Sequence, residues 1–321
     1  MPKLETLTSW HSDWKNLRVV VFGLGVSGFS VADTLAELGA NVMVVAEKAD
    51  AEYLDLLSVI GVKSLIGEVA KDFKMELEGF DPELVVTSPG FRPDSPQIVW
   101  AVARGIEVWT DIDLAWRLRD KVGKPADWIC VTGTNGKTTT VQLATHIMKT
   151  AGLRVESCGN IGTPILDCIR DEIGFDALVV ELSSFQLHYL QEIKPFASAV
   201  LNVDQDHIDW HGSDQAYFQA KAKVYQGTEV AIVYNAADAK TLEAAEAADV
   251  VEGCRAVAFT TSMPSVSMVG YVEEFLVDRA FITDRYSAAL EIAEDSDLAE
   301  IGVLSDHLRA NVAAATALAR A

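Results

Sequence analysis

The segment Thr132-Gly133-Thr134-Asn135-Gly136-Lys137-Thr138-Thr139 stands between a β-branched apolar run at 128–132 and a helix-like run at 138–150. A glycine-rich turn at a strand-to-helix junction exposes backbone N–H groups, and the positive end of the helix dipole adds to them, so the pair surrounds a polyphosphate. Lys137 then neutralises phosphate charge and the Thr138 hydroxyl reaches Mg²⁺. The expected ligand is a nucleoside triphosphate. Val131 occupies the place of the first glycine in the general phosphate-loop pattern, and a turn with a chance Gly-Lys-Thr is the alternative.

Three other groups have chemistry-bearing types. Glu181 ends the apolar run 177–181, where a carboxylate can hold Mg²⁺ bound to nucleotide phosphates. An unpaired buried Glu is costly, which favours a metal or cation partner. Asp204, Asp206, His207, Asp209 and His211 follow the apolar run 197–203; hard oxygens with a histidine suit Mg²⁺ or Mn²⁺, and a solvated acidic turn is the alternative. Gly23-Leu24-Gly25-Val26-Ser27-Gly28 fits a dinucleotide fingerprint, with Glu47 near the end of the next strand placed to meet a ribose diol. The same loop equally cradles another pyrophosphate, such as that of a nucleotide sugar. Arg92, just beyond Ser88-Pro89-Gly90, reads as an anion contact or a solvated loop arginine, and Lys221 and Lys223 taken alone read as surface lysines.

The elements that must position these residues alternate. Residues 17–39 read as strand, turn and helix, 41–46 and 83–87 as further strands, and 119–127 as a linker carrying Gly123 and Pro125. Strands at 128–132, 177–182, 197–203 and 230–235 are short buried runs of the parallel-sheet type. Residues 236–248 read as a helix, 255–304 as an antiparallel hairpin followed by an acidic loop EDSD, and 311–321 as helical. The predicted fold class is α/β, a Rossmann-like domain with a parallel sheet followed by a phosphate-loop α/β domain.

Composition bounds the functions. Length 321 fits about two domains at roughly 150 residues each. A net charge of -21, from 26 basic and 47 acidic residues, argues against nucleic acid or anionic membranes as partners. No run of about 18 apolar residues or secretory leader is present, so the protein is expected to be soluble and cytoplasmic. Cys130, Cys158, Cys168 and Cys254 are scattered and read as reduced core residues.

Taken together, TGTNGKTTT at 132–140, GNIGTP at 159–164, ELSSFQL at 181–187, LNVDQDHID at 201–209 and YFQAKAKVY at 217–225 resemble, in order and spacing, the central domain of the Mur ligase family. GLGVSG at 23–28 and SPGFRP at 88–93 resemble its uridine-nucleotide domain, and ELSSFQL points to the D-glutamate-adding branch. The resemblance implies a UDP-sugar-binding domain at 1–118, an ATP-binding domain at 119–321, and a C-terminal amino-acid-binding domain that this sequence lacks. It implies ATP-dependent ligation of D-glutamate to UDP-N-acetylmuramoyl-L-alanine through an acyl phosphate, in peptidoglycan synthesis, with nucleotide binding but little turnover expected from these 321 residues.

Carried over by position, the ATP loop is Gly133, Thr134, Asn135, Gly136, Lys137, Thr138 and Thr139, with Asn311 on the adenine side. Lys137, Glu181, His207 and Lys221 are the catalytic set. Thr138 and Glu181 serve one Mg²⁺, and His207 with a carbamylated Lys221 serves a second. Gly25, Val26, Ser27, Glu47, Lys48 and Ser88 line the uridine diphosphate pocket, and Asn160 and Ser183 lie near the substrate. The chain departs from the family pattern at Ala46-Glu47, where relatives usually carry an Asp at the end of the second strand, and near His307, where LSDHLRAN lacks the family's usual Gly and following Asn. The rival readings are another Mur-type or folylpolyglutamate-type ligase, an NAD-dependent dehydrogenase, and a non-catalytic nucleotide-binding module.

Overall fold

A computed structural model describes residues 4–299 and 302–321. Its described residues form two units, one running to Pro125 and including Thr163–Gly174 and Tyr189–Gln191, the other made of Ala126–Gly162, Phe175–His188 and Glu192–Ala321.

In the first unit, β1 (Arg18–Phe22), β2 (Asn41–Ala46), β3 (Lys63–Ile66), β4 (Leu84–Thr87) and β5 (Glu107–Trp109) make a fully parallel sheet ordered β3-β2-β1-β4-β5. Helices α1 (Val26–Glu37), α2 (Ala51–Val59), α3 (Phe73–Phe80), α4 (Pro96–Ala103) and α5 (Asp111–Leu118) alternate with the strands. Val19, Val20, Val21 and Phe22 are at most 1% exposed, which explains why β1 reads as a continuous apolar run rather than an alternating one. Strand order reverses between β1 and β4, and the carboxyl ends of strands at such a switch point are where open α/β sheets take ligands. Gly28 is required there: a Cβ on it would lie 2.3 Å from the Gly23 carbonyl oxygen, so only glycine lets α1 pack on the turn. A buried capping box between Thr110 and Asp113 starts α5, and Asp113 also accepts the Gln191 N–H at 2.8 Å.

The second unit holds β6 (Asp127–Thr132), α6 (Lys137–Thr150), β7 (Val155–Gly159), β8 (Ala177–Glu181), α8 (Ser184–Tyr189), β9 (Ala197–Val200), α9 (Ile208–His211), α10 (Asp214–Ala222), β10 (Ala231–Asn235) and α11 (Ala239–Glu246). Helix α7 (Ile165–Ile169), which falls between β7 and β8 in sequence, clusters with the first unit. β11 (Arg255–Phe259), β12 (Met268–Val272), β13 (Phe275–Asp278), β14 (Leu290–Glu294), α12 (Asp295–Leu298) and α13 (Asp306–Arg320) complete the second unit. Its sheet is ordered β14-β13-β12-β11-β10-β9-β6-β8-β7, parallel from β7 to β12 and antiparallel at β12–β13 and β13–β14. The phosphate loop follows β6, which lies between β8 and β9 in the sheet interior.

Both predicted α/β sheets are present. The hairpin expected in 255–304 is β12–β13, but β11 joins the parallel part of the sheet. The expected acidic loop is structured: Glu294 and Asp297 form a reciprocal capping box over α12, because carboxylates at a helix start satisfy otherwise unpaired N–H groups. Helix α13 begins at Asp306, earlier than the sequence suggested, with Ser305 as its N-cap. Cys130, Cys158 and Cys168 are buried, whereas Cys254 is only partly so, because it lies in the turn just before β11. Among the described residues no helix is long and apolar enough to cross a membrane.

Candidate functional site

Helix α6 buries Thr140, Val141, Ala144, Thr145 and Met148 at helical spacing, which fixes its first turn at the end of β6. Gly136 opens the helix in a left-handed conformation, φ +82°, and no side chain caps that end. The first-turn N–H groups therefore face outward with the dipole behind them. The loop itself is braced by Asn202, whose Oδ1 accepts the Asn135 N–H at 2.8 Å and whose Nδ2 donates to the Asn135 carbonyl at 3.0 Å. A Cβ on Gly136 would stand 2.4 Å from Asn311 Oδ1, so α13 places Asn311 directly against the loop.

Lys137 and Thr138 point to different tasks. Lys137 Nζ folds back onto the carbonyls of Gly133 and Thr134 at 2.9 and 3.0 Å. Thr138 Oγ1 donates to Glu181 Oε2 at 2.9 Å, and Asn160 Nδ2 donates to Glu181 Oε1 at 2.9 Å. Glu181 is 2% exposed, and both of these donors are neutral. The buried Glu181 carboxylate and the Thr138 hydroxyl are hard oxygens of the kind that suit Mg²⁺, while the uncapped helix end beside them suits an anion. The backbone enforces the arrangement: Gly159, φ +98°, has no room for a Cβ because the Glu181 carbonyl would lie 2.4 Å away.

Lys221 is no surface lysine. It is 2% exposed, donates to the Gly133 carbonyl at 2.8 Å and sits 4.7 Å from the Tyr217 ring centre. Burial, reinforced by the charge of Lys137 and opposed by Asp206 and Glu181, pushes its pKa down to about 7. Burial also lowers Lys137, again against the pull of Glu181 and Asp206. Lys223 donates to the His188 carbonyl at 2.8 Å.

The acidic turn does not close on itself. His207 meets Asp206 at 3.3 Å, Asp204 bonds Thr134 through its backbone, and His211 Nε2 lies 3.0 Å from Ser184 Oγ. Among the described residues no three His, Cys, Asp or Glu side chains gather into a metal-holding group. His211 packs against Phe185, Trp210 and Tyr217, and burial followed by the neighbouring charges of His188, His207 and Lys221 pushes its pKa down to about 4. Ser183 is bonded by Gln186, whose Oε1 accepts both the Ser183 N–H and hydroxyl.

A cleft of about 380 Å³ runs from Asn135 and Gly136 past Asn202, Asn235 and Phe259 to His307 and Asn311. In the first unit, a Cβ on Gly25 would have nothing within 4 Å, leaving open space over the start of α1, whereas a Cβ on Gly23 would stand 2.5 Å from Ser88 Oγ. Val26 is 57% exposed, Ser27 and Ser88 are half-buried, and Glu47 and Lys48 are exposed beyond β2. Arg92 pairs with Asp94 at 2.9 Å.

Sequence reasoning did not single out Tyr217, Asn202 or Gln186. Tyr217 is 2% exposed and its hydroxyl lies 3.0 Å from Thr134 Oγ1. Its position four residues before Lys221 on one helix was the available signal, since such residues share a face. Asn202 and Gln186 act through loop geometry that carries no periodic signature.

Comparison with known proteins matches residues 131–319 to the Mur ligase middle domain and residues 17–110 to the MurD-like N-terminal domain of Mur ligases. A UDP-N-acetylmuramoylalanine--D-glutamate ligase of Leifsonia xyli is 54% identical over 330 residues, covering 99% of this chain and 64% of that protein. The protein of the same name from Streptomyces coelicolor is 47% identical, covering 97% of this chain and 65% of its own length. The chain thus spans somewhat less than two thirds of these relatives. Among solved structures, a UDP-N-acetylmuramate:L-alanyl-gamma-D-glutamyl-meso-diaminopimelate ligase from Neisseria meningitides superposes with TM-score 0.58 at 16% identity, covering 94% of this chain and 92% of that one. At that identity the likeness shows the fold.

Proposed function

Because the chain belongs to the Mur ligase family, we propose that it carries the nucleotide-binding and phosphoryl-transfer part of an ATP-dependent ligase that joins D-glutamate to UDP-N-acetylmuramoyl-L-alanine in peptidoglycan synthesis. The observation that carries this reading is the Thr138–Glu181 hydrogen bond beside the uncapped start of α6. The identity to D-glutamate ligases supports the choice of substrates.

In this reading the first-turn N–H groups of α6 and Lys137 hold the β- and γ-phosphates, exchanging the carbonyl bonds of Lys137 for phosphate oxygens. The cleft from Asn135 to Asn311 takes the adenosine, and the carboxyl ends of β1 and β4, with Gly25, Val26, Ser27, Glu47, Lys48 and Ser88, take the uridine diphosphate. Thr138 and Glu181 hold one Mg²⁺, which when bound supplies neutralisation of phosphate charge. The substrate carboxylate oxygen forms a bond to the γ-phosphorus as ADP leaves. The amine of D-glutamate then attacks the acyl carbon, phosphate departs, and the amine gives up a proton.

Lys221 is suited to carbamylation because a pKa near 7 leaves much of its amine unprotonated and nucleophilic toward CO₂. The product is an anion beside Lys137, in keeping with a second cation shared with His207. Calorimetric titration of the 321-residue chain with ATP·Mg²⁺ and with UDP-N-acetylmuramoyl-L-alanine tests the two pockets, and D-glutamate-dependent ADP release by the protein at the full length of its relatives tests the reaction. Binding of NAD with no binding of ATP would overturn the proposal.

A further inference from the structure

His207 bears a cation-binding role in the reading above, yet the structure leaves it with little support of its own. Its side chain is 47% exposed, its backbone is left-handed at φ +49°, and its ring meets Asp206, itself 42% exposed. One turn later the situation reverses. Helix α9 is a single turn bounded by left-handed His207 and left-handed Gly212, and the His211 N–H bonds the His207 carbonyl at 3.0 Å. His207 and His211 are therefore the two ends of one small block.

The His211 end is anchored. Its ring stacks on Phe185 at 5.8 Å and 18°, with Trp210 at 4.6 Å and Tyr217 at 5.3 Å, and Nε2 lies 3.0 Å from the hydroxyl of buried Ser184. Nδ1 is buried without a hydrogen-bond partner. A buried bare N–H is costly, so the ring proton belongs on Nε2, where it is donated to Ser184 Oγ. Ser184 opens α8 three residues after Glu181, and Phe185 beside it also touches the His207 ring at 4.8 Å.

We propose that His211 is a positioning residue: by donating to Ser184 it locks the turn carrying His207 onto the segment carrying Glu181, fixing the spacing of these two groups before any cation arrives. The proposal rests on the assignment of His207 to a cation. The loss of such an orienting partner typically weakens metal binding 10- to 100-fold.

The test is Mn²⁺ titration of the 321-residue chain with ATP present, read by electron paramagnetic resonance, together with imidazole NMR of the metal-free chain. His211→Phe and Ser184→Ala should each weaken Mn²⁺ binding about 10- to 100-fold, and the double variant should be no weaker than either alone. His211→Gln, which keeps a donor, should restore most of the affinity. The His207 ring resonances should shift in His211→Phe and Ser184→Ala but hold in His211→Gln. Mn²⁺ affinity within twofold of the parent in His211→Phe, or additive losses in the double variant, would overturn the proposal. Should His207→Ala bind Mn²⁺ normally, the cation assignment fails by itself; the His207 resonances then decide the positioning role, and their staying fixed in His211→Phe overturns it. If His211→Phe does not fold, Ser184→Ala and His211→Gln give the same two readings.

Discussion

Lys137 and Lys221 donate to one acceptor, the carbonyl oxygen of Gly133, at 2.9 and 2.8 Å. Burial first, and then the charge of Lys137 converging on the same oxygen, push down the pKa of Lys221, which is 2% exposed. Burial thus leaves Lys221 only partly charged, beside Lys137, in a protein whose net charge is -21.

The depressed pKa of Lys221 makes stability depend on pH with a definite sign. The unfolded lysine titrates near about 10.4 and the folded one at about 7. Between these values the unfolded chain binds more protons, so this residue makes stability rise with pH from about 7 to about 10 and stay level below that window. Urea unfolding at a series of pH values should show this slope reduced in Lys221→Met. An identical slope in the variant would contradict the assignment.

Carbamylation has its own signature. Incubation with ¹³C-bicarbonate near pH 8 should give a carbamate carbon resonance in the parent chain that is absent from Lys221→Ala. Persistence of the signal in the variant would place the carbamate elsewhere.

Removing the Lys137 charge should leave the fold intact and cost ATP most of its affinity, on the order of 100-fold for a charge-assisted phosphate contact. Lys137→Ala examined by calorimetry and circular dichroism separates these effects. Ordinary ATP binding by a folded variant would remove the phosphate-loop reading.

Glu181→Gln keeps the shape of the side chain and an acceptor for Asn160 but loses the anion. Mn²⁺ affinity in the presence of ATP should drop by roughly tenfold or more, while thermal stability changes little. The same metal affinity in the variant would show that the carboxylate does not serve the cation.

Gly136→Ala should strain the loop in two ways, through φ +82° and through the 2.4 Å approach of a Cβ to Asn311 Oδ1. The expected cost is about 1–3 kcal/mol of stability, with weakened ATP binding. Shortening the neighbour in Gly136→Ala/Asn311→Ala should recover part of the loss, since it removes the clash but not the dihedral strain. Equal losses in the two variants would show that Asn311 does not press on the loop.

What could be read from the sequence by itself was local. Strand-turn-helix around Gly133 to Thr138, buried β-branched strands such as β1 and β8, and a Glu at a strand end all follow from hydrophobic runs, turn glycines and charge, which depend on neighbours in the chain. The same locality marked Lys221 as a surface lysine, EDSD as a loop and Cys254 as core, because a residue type by itself does not tell which surface covers it. The burial of Lys221, the convergence of Thr138 and Asn160 on Glu181, and the bond between His211 and Ser184 depend on strands β6, β7 and β8 and helices α9 and α10 meeting across separations of 21 to 88 residues. Only the tertiary structure decides such meetings, since they follow from how the sheet orders its strands and not from any periodicity along the chain.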